Sequence, residues 1–439
     1  MKMTCAPSRD LTDPEQNQAV LDLATDLSGS GDPKHREHGP HPEHGPAVIA
    51  EALAAARSRQ LLRGLTVPVH LTVVWAMYGE TGRMVPRTAD PHGEDFVRMK
   101  VRQLDWLTAE LPTVTWSIIA CDDGCPDQPS SGRLMAQIAA AEGYPTSGHR
   151  SVSVLELAEV IAGDVSIGPA FDRLTSTDQS RKGGSILAAL DAALRTPLPA
   201  AAAHTDATAR HVICYTDADL SANLAQLGAL AARIVSGGEV VAALGQRYGV
   251  DDAVLIGADG PTTEPHSTGD KPDKVIILFR HYVRAMLLPA LAHVIDTQAG
   301  FKAFDARALR PVPAQMTTFN ESFDVELLIR LARRHGPHAL AVEPIVFTED
   351  FAATNFPSID PGPRHLAMIR QLVELYDNLV AGTEPARGEA ADLLDLVRGL
   401  DLDDYVRLIE RLRADDVDDP TLFDRRWPVR YLRDIVGGR

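Results

Sequence analysis

Cysteine is scarce. Cys5, Cys121, Cys125 and Cys214 are the four in a chain of 439 residues. So few exclude a disulfide framework, and their spacing makes no zinc-type C-x-x-C pair. Positive charge is short as well: 43 Lys+Arg face 60 Asp+Glu, a net charge of −17. That balance excludes nucleic acid as a main partner, because phosphate backbones are held by clustered Lys and Arg. It also argues against docking on an anionic membrane. A charge-free apolar run is missing too. The longest apolar stretch, Val275 to Ile295, contains Arg280, His281, Arg284, Pro289 and His293. Two arginines at the centre of a bilayer are costly, so the stretch reads as one buried or half-buried helix and not as an integral membrane segment. The start, MKMTCAPSRDLTDPEQ, has no apolar core of a secretory leader, and a cytoplasmic location is expected.

What is present is a globular composition, with 45% apolar residues. The length suggests two or three units at roughly 100–200 residues each. Residues 1–66 read as an N-terminal extension holding a linker, GSGDPKHREHGPHPEHGP. Its histidines (His35, His38, His41, His44) read as solvated, since a Pro/Gly-rich segment fixes no ligand geometry. From Val67 onward, short apolar β-rich runs alternate with helical ones. Examples are VPVHLTVVWAM, VTWSIIACDD and RHVICYTDAD against EDFVRMKVRQLDWLTAEL and GGSILAALDAAL. This alternation predicts an α/β fold with a mostly parallel sheet flanked by helices over residues 67–356. Residues 357–439 read as a helical, acidic region whose apolar stripes pack on the body or form a homodimer.

Acidic residues recur at the ends of the predicted strands, the edge where open α/β sheets bind ligands. Asp217 and Asp219 follow HVICYT. Carboxylates two positions apart past a strand end suit Mg²⁺ or Mn²⁺, which take oxygen ligands. The competing reading is a helix N-cap at Asp219 or Ser221. Asp122-Asp123-Gly124 follows WSIIAC and reads either as a turn or as acceptors for a base and ribose. Asp296-Thr297-Gln298 follows the long helix, and Asp324 and Glu326 open VELLIRLARR, where one of them reads alternatively as a cap. Lys182, Arg247 and Lys302 read either as charge near a diphosphate or as surface residues. Arg280 and Arg284 lie one turn apart on one face.

In this order the motifs resemble the family 2 inverting glycosyltransferases of the GT-A nucleotide-diphosphosugar fold, in particular the dolichyl- and polyprenyl-phosphate sugar synthases. VVWAMYGE, ending at Glu80, resembles the first-strand motif VVIPAYNE, although Ala76 and Gly79 replace its Pro and Asn. DDGCPD from Asp122 resembles DDGSTD, and Arg181-Lys182-Gly183-Gly184 resembles a K-G-G turn. TDADLS from Thr216 resembles the family's metal motif, and Gly245-Gln246-Arg247 its G-S-R. DTQAGFKAF from Asp296 is similar to DTQCGFKLF, and FDVELL from Phe323 matches FDVELL. The resemblance spans roughly residues 67–356.

It implies that Ala76, Tyr78, Glu80, Asp122, Asp123, Lys182, Asp217 and Arg247 bind a GDP- or UDP-linked sugar. It implies Mg²⁺ or Mn²⁺ on Asp217 and Asp219. Asp324 becomes the general base, with Glu326 second. Asp296, Thr297, Gln298, Gly300, Lys302 and Glu326 form the loop facing acceptor and sugar. With no spanning helix and no basic run, a soluble small-molecule hydroxyl or thiol acceptor is expected, in keeping with an Arg- and Ala-rich bacterial chain of natural-product or antibiotic biosynthesis. A polyprenyl-phosphate acceptor stays open. So do a sugar-1-phosphate nucleotidyltransferase, although TVVWAMYGETG lacks its Gly-rich phosphate loop, and a non-catalytic sugar-nucleotide-binding module.

Overall fold

The computed structural model describes residues 6–29, 44–163, 167, 171–180, 182–198, 209–258, 274–349, 362–414 and 426–438. Cys5, Arg181 and the linker histidines His35, His38 and His41 lie outside them. The strands are β1 (Ala6–Arg9), β2 (Val69–Met77), β3 (Val114–Asp122), β4 (Ser151–Glu156), β5 (Arg210–Thr216), β6 (Ala242–Gln246), β7 (Val254–Ala258), β8 (Phe301–Asp305), β9 (Leu340–Pro344) and β10 (Val346–Glu349). Seven of them build a central sheet in the order β4-β3-β2-β5-β8-β6-β9. Neighbours run parallel except β8, which is antiparallel to both β5 and β6. Strands β1, β7 and β10 form a separate parallel sheet. The alternation read from the sequence is thus realised as a mostly parallel α/β sheet.

Helices cover both faces. In chain order they are α1 (Pro14–Gly29), α2 (Pro46–Arg63), α3 (Phe96–Thr108), α4 (Ser131–Ala141), α5 (Leu157–Ile161), α6 (Gly183–Arg195), α7 (Leu227–Ser236), α8 (Lys274–Leu287), α9 (Ala306–Leu309) and α10 (Phe323–His335). Then follow α11 (Pro363–Leu379), α12 (Glu389–Gly399), α13 (Leu402–Ala414) and α14 (Val429–Val436). Successive side chains of a strand leave by opposite faces. Val73 and Trp75 of β2 therefore join α3, α4 and α7 in one apolar core. Val74 joins α6, α8, α10 and the C-terminal helices in the other. Both faces being covered, β2 and β3 are buried along nearly their whole length and are mostly apolar.

Strand β1 and helices α1 and α2 are stitched to this body. Arg9, 2% exposed, pairs with Glu51 of α2 and donates to Asn17 at 2.6 Å. Glu51 also accepts from Asn223 at 2.7 Å. Helices α2 and α7 cross closely at Gly228, where a Cβ would come within 2.6 Å of the Ser58 carbonyl. The stretch Val275–Ile295 is not one helix. Helix α8 stops at Leu287, and Pro289–Leu291 forms a separate 3-10 turn. Proline disfavours helix at the residue before it, and Leu288 sits at φ −125°, ψ 66°. Among the described residues no helix is long and apolar enough to cross a membrane.

Candidate active site

The carboxyl ends of β2, β3 and β5 open on one edge of the sheet. Strand β8 starts there, because it runs the other way. Just past β5, the backbone N–H of Asp217 donates to the Gly300 carbonyl at 3.1 Å, which ties the two segments together. Gly300 is required at this point, since a Cβ would collide with the Asp217 carboxylate. The helix-cap role weighed for Asp219 or Ser221 belongs to Asn223, which accepts from Ala225 N–H. Asp219 instead accepts from Ser221 N–H at 3.1 Å with one oxygen and from Arg83 at 3.3 Å with the other.

Around Asp217 and Asp219 lies a concentration of acid. Lys182 forms an ion pair with Asp217. Arg83 reaches Asp219 at 3.3 Å, and Glu80 and Glu94 at 3.5 Å each. Burial, reinforced by Asp219 and Asp217, pushes Glu80 up to about 7 despite Arg83. Burial and the Asp219 charge likewise push Glu94 up to about 8. Burial would also raise Asp217, yet the Lys182 ammonium holds its carboxyl below the usual range. Four carboxylates thus face two contacting cations. Hard carboxylate oxygens two positions apart at the sheet edge fit a divalent ion with Asp217 and Asp219 as its donors. No group of three His, Cys, Asp or Glu side chains among the described residues forms a ready metal cage, so water or phosphate oxygens would complete the shell. Lys182 itself sits at φ +84°, a strained setting for a side-chain-bearing residue.

Asp324 occupies a second, drier place. It is 3% exposed in the first turn of α10. Gln298 donates to its two oxygens at 3.1 and 3.3 Å. Tyr215 donates to it at 3.4 Å, and Lys302 lies 3.5 Å away. Burial raises the Asp324 carboxyl, with Lys302 the main opposing charge. Arg284 of α8, pulled down to about 10 by burial and by Arg280, donates to Thr297 at 2.9 Å and to the carbonyls that precede Asp296.

Several expected ligand contacts are spent inside the protein. Asp122 accepts from the backbone N–H of Cys125 at 2.7 Å and of Gly132 at 2.6 Å. Asp123 accepts from the Ser185 hydroxyl at 2.6 Å and from Lys182 N–H at 2.7 Å. The DDG segment therefore fastens α4 and α6 to the end of β3. Asp296 holds Arg247 at 2.7 and 3.1 Å, and against its burial this pairing lowers it to about 2. Lys302, expected on a loop, lies fully buried within β8. Glu326, expected at the acceptor as second base, turns elsewhere. It accepts from Thr317 and Thr318 N–H and pairs with Arg330 at 2.6 Å, which fixes the loop before α10. Tyr78, by contrast, stands 60% exposed at the end of β2, and Ala76 is half-buried beside it.

Sequence reasoning missed Arg83, Glu94, Glu349 and Lys100. Glu349 ends β10 and is raised by burial in spite of Arg247. Lys100 is wholly buried on α3, 5.6 Å from the Trp75 ring, with no hydrogen-bond partner for its ammonium among the described residues. Burial lowers it against the pull of Asp219, Asp217 and Glu94. Each arrives from an element distant in sequence, and none sits in a local motif.

No described protein family matches this chain, and no curated protein does. Among solved structures it is similar to glucosyl-3-phosphoglycerate synthase from Mycobacterium tuberculosis in complex with phosphoglyceric acid, at 15% identity over 74% of this chain and 83% of that one, TM-score 0.43. The same protein in complex with Mn²⁺, UDP-glucose and glycerol 3-phosphate gives 15% identity over 73% and 82%, TM-score 0.41.

Proposed function

We propose that this chain is a GT-A-type glycosyltransferase that moves a sugar from a nucleoside diphosphate sugar to a small soluble acceptor with inversion. One observation carries the reading: an acidic cluster around Asp217 and Asp219 at the carboxyl edge of the sheet, with a separately buried carboxylate, Asp324, held by Tyr215 of β5. Tyr78 offers an exposed ring on which a nucleobase stacks, a contact worth about 1–3 kcal/mol. A divalent ion, when bound at Asp217 and Asp219, supplies neutralisation of the diphosphate as it leaves. Lys182 places a half-exposed ammonium at the same point. Arg247, locked on Asp296, fixes the wall between β6 and β8. Asp324 takes the acceptor's proton while the acceptor attacks the anomeric carbon from the face opposite the diphosphate. General-base help of this sort is worth about 10²–10⁴-fold.

The test is release of nucleoside diphosphate from UDP- and GDP-sugars with Mn²⁺ or Mg²⁺, with and without acceptors. Turnover should vanish in chelator and in Asp219→Asn. In Asp324→Asn it should fall by about 10²–10⁴-fold with donor affinity nearly unchanged. Turnover that survives in Asp219→Asn, or pyrophosphate released from a nucleoside triphosphate instead, refutes the reading.

A further inference from the structure

Lys302 raises a physical question. Its side chain is fully buried, and removing an ammonium from water costs several kcal/mol before any pairing. The sheet register explains how it comes to be there. Strand β8 is antiparallel to β5, and Lys302 lies directly opposite Tyr215. Paired residues of two strands project to the same face, here the face that carries α10. The Lys302 ammonium donates to the Tyr215 hydroxyl at 2.8 Å and to the Ala299 carbonyl, and it lies 3.5 Å from Asp324. The Tyr215 hydroxyl passes its own proton toward the same Asp324 oxygen at 3.4 Å. Its ring is held against Phe304 and Phe323, at centroid distances of 6.5 and 5.6 Å. A buried ion pair is weak evidence of a stabilising role, since well-packed apolar residues often serve equally well. The arrangement is better explained by what it does to the carboxylate.

We propose that Lys302 and Tyr215 are positioning residues that hold Asp324 as an oriented, ionised carboxylate ready to take the acceptor's proton. This rests on the glycosyltransferase reading above. In the step they serve, the acceptor X–H bond breaks and its proton passes to Asp324. The freed electron pair forms the bond to the anomeric carbon. The C1–O bond to the diphosphate breaks, and its pair leaves with the nucleoside diphosphate. Lys302 stays an ammonium and Tyr215 keeps its proton throughout.

Burial raises Asp324, and Lys302 is the largest charge opposing that rise. Lys182 of the turn before α6 opposes it too, and Arg284 of α8 senses the Asp324 charge. Asp296 and Asp217 are the other acids facing Lys302. Removing the Lys302 charge therefore moves the ionisation of Asp324 to higher pH.

The experiment compares Lys302→Met, Lys302→Arg and Tyr215→Phe with wild type, each checked for folding by circular dichroism. Turnover of a UDP- or GDP-sugar is followed across roughly pH 5 to 9. Lys302→Met should lower kcat about tenfold or more, leave donor KM within about twofold, and shift the acid limb up by about one pH unit or more. Lys302→Arg should bring the limb back toward wild type. Tyr215→Phe should shift it the same way by less. An acid limb unmoved in Lys302→Met, or in Tyr215→Phe should the first variant not fold, overturns the proposal. A second arm needs no turnover: the Asp324 carboxyl is titrated by infrared difference between each protein and its Asp324→Asn version. Should no nucleotide sugar react, the enzymatic reading fails while this titration still judges the carboxylate's dependence on Lys302. An unshifted infrared midpoint in Lys302→Met overturns it there.

Discussion

At Gly300 a hydrogen atom decides whether the cleft exists. The Asp217 carboxylate fills the space that a Cβ would take. Gly300→Ala should push that carboxylate off Lys182, leaving the fold intact and stripping divalent-ion-dependent nucleotide binding. Calorimetry with UDP and Mn²⁺ reads the loss, and binding equal to wild type would show that Asp217 is not a donor. Asp122 presents the opposite case, an acid whose work is internal. Its two oxygens satisfy the N–H groups of Cys125 and Gly132. Stranding buried donors costs about 1–3 kcal/mol each. Asp122→Ala should therefore lower the urea midpoint by an equivalent of about 2–6 kcal/mol, while residual donor affinity per folded molecule stays near wild type. A loss of affinity without a loss of stability would restore a direct ribose contact.

Strands β2 and β5 carry a pair of imidazoles, His70 and His211, paired in register near their amino ends. His70 bonds Thr115 at 2.8 Å and Ser117 at 3.0 Å, and His211 bonds Thr72 at 2.9 Å. Burial, with their mutual repulsion, brings His70 down to about 3. Burial and Arg310 bring His211 down to about 4. Because both fall below the unfolded value of about 6.5, their contribution is complete above that pH and drains away as pH drops toward about 4. Each should remove up to about 1.4 kcal/mol of stability per pH unit in that window. Urea titrations between about pH 7 and 5 should show this slope, and His70→Gln with His211→Asn should flatten it. An unchanged slope in the double variant would place the acid sensitivity elsewhere.

The same element scale shows what the sequence made legible. Asp217 and Asp219 stand out because the mostly apolar run HVICYT stops at the sheet edge just before them. The five residues Phe301–Asp305 give too short a period to separate a strand from a loop, and one antiparallel strand in a parallel sheet has no helix to announce it. Lys302 therefore reads from the sequence as a loop or surface residue, whereas it is buried within β8. Arg83 and Glu94 were invisible for another reason. Arg83 meets Asp219 across a long sequence separation, and Glu94 joins through Arg83 and the Leu220 N–H, contacts that no spacing rule encodes.

For the whole molecule, the question is whether the C-terminal helices are cargo or core. Helix α8 answers in part. Phe279 packs at 6.3 Å from Tyr405 of α13 and 6.4 Å from Trp427, and the Tyr282 hydroxyl donates to the Trp427 carbonyl at 2.8 Å. Leu366, Ile369, Leu372 and Tyr376 of α11 belong to the same apolar cluster as Val74 and Ile213 of the sheet. The core that seats Arg284 and Asp324 is therefore closed by the tail. A chain cut after residue 362 would expose that face and should aggregate or bind apolar dyes, not retain a smaller folded domain. Trp427→Ala, a gentler cut at the same contact, should cost about 3–5 kcal/mol, the range for deleting a buried aromatic. Since one cluster spans sheet and tail, unfolding followed by tryptophan fluorescence and by far-ultraviolet dichroism should give a single coincident transition. Two separated transitions, with the sheet outlasting the tail, would make the C-terminal helices an independent unit docked beside a self-sufficient α/β body.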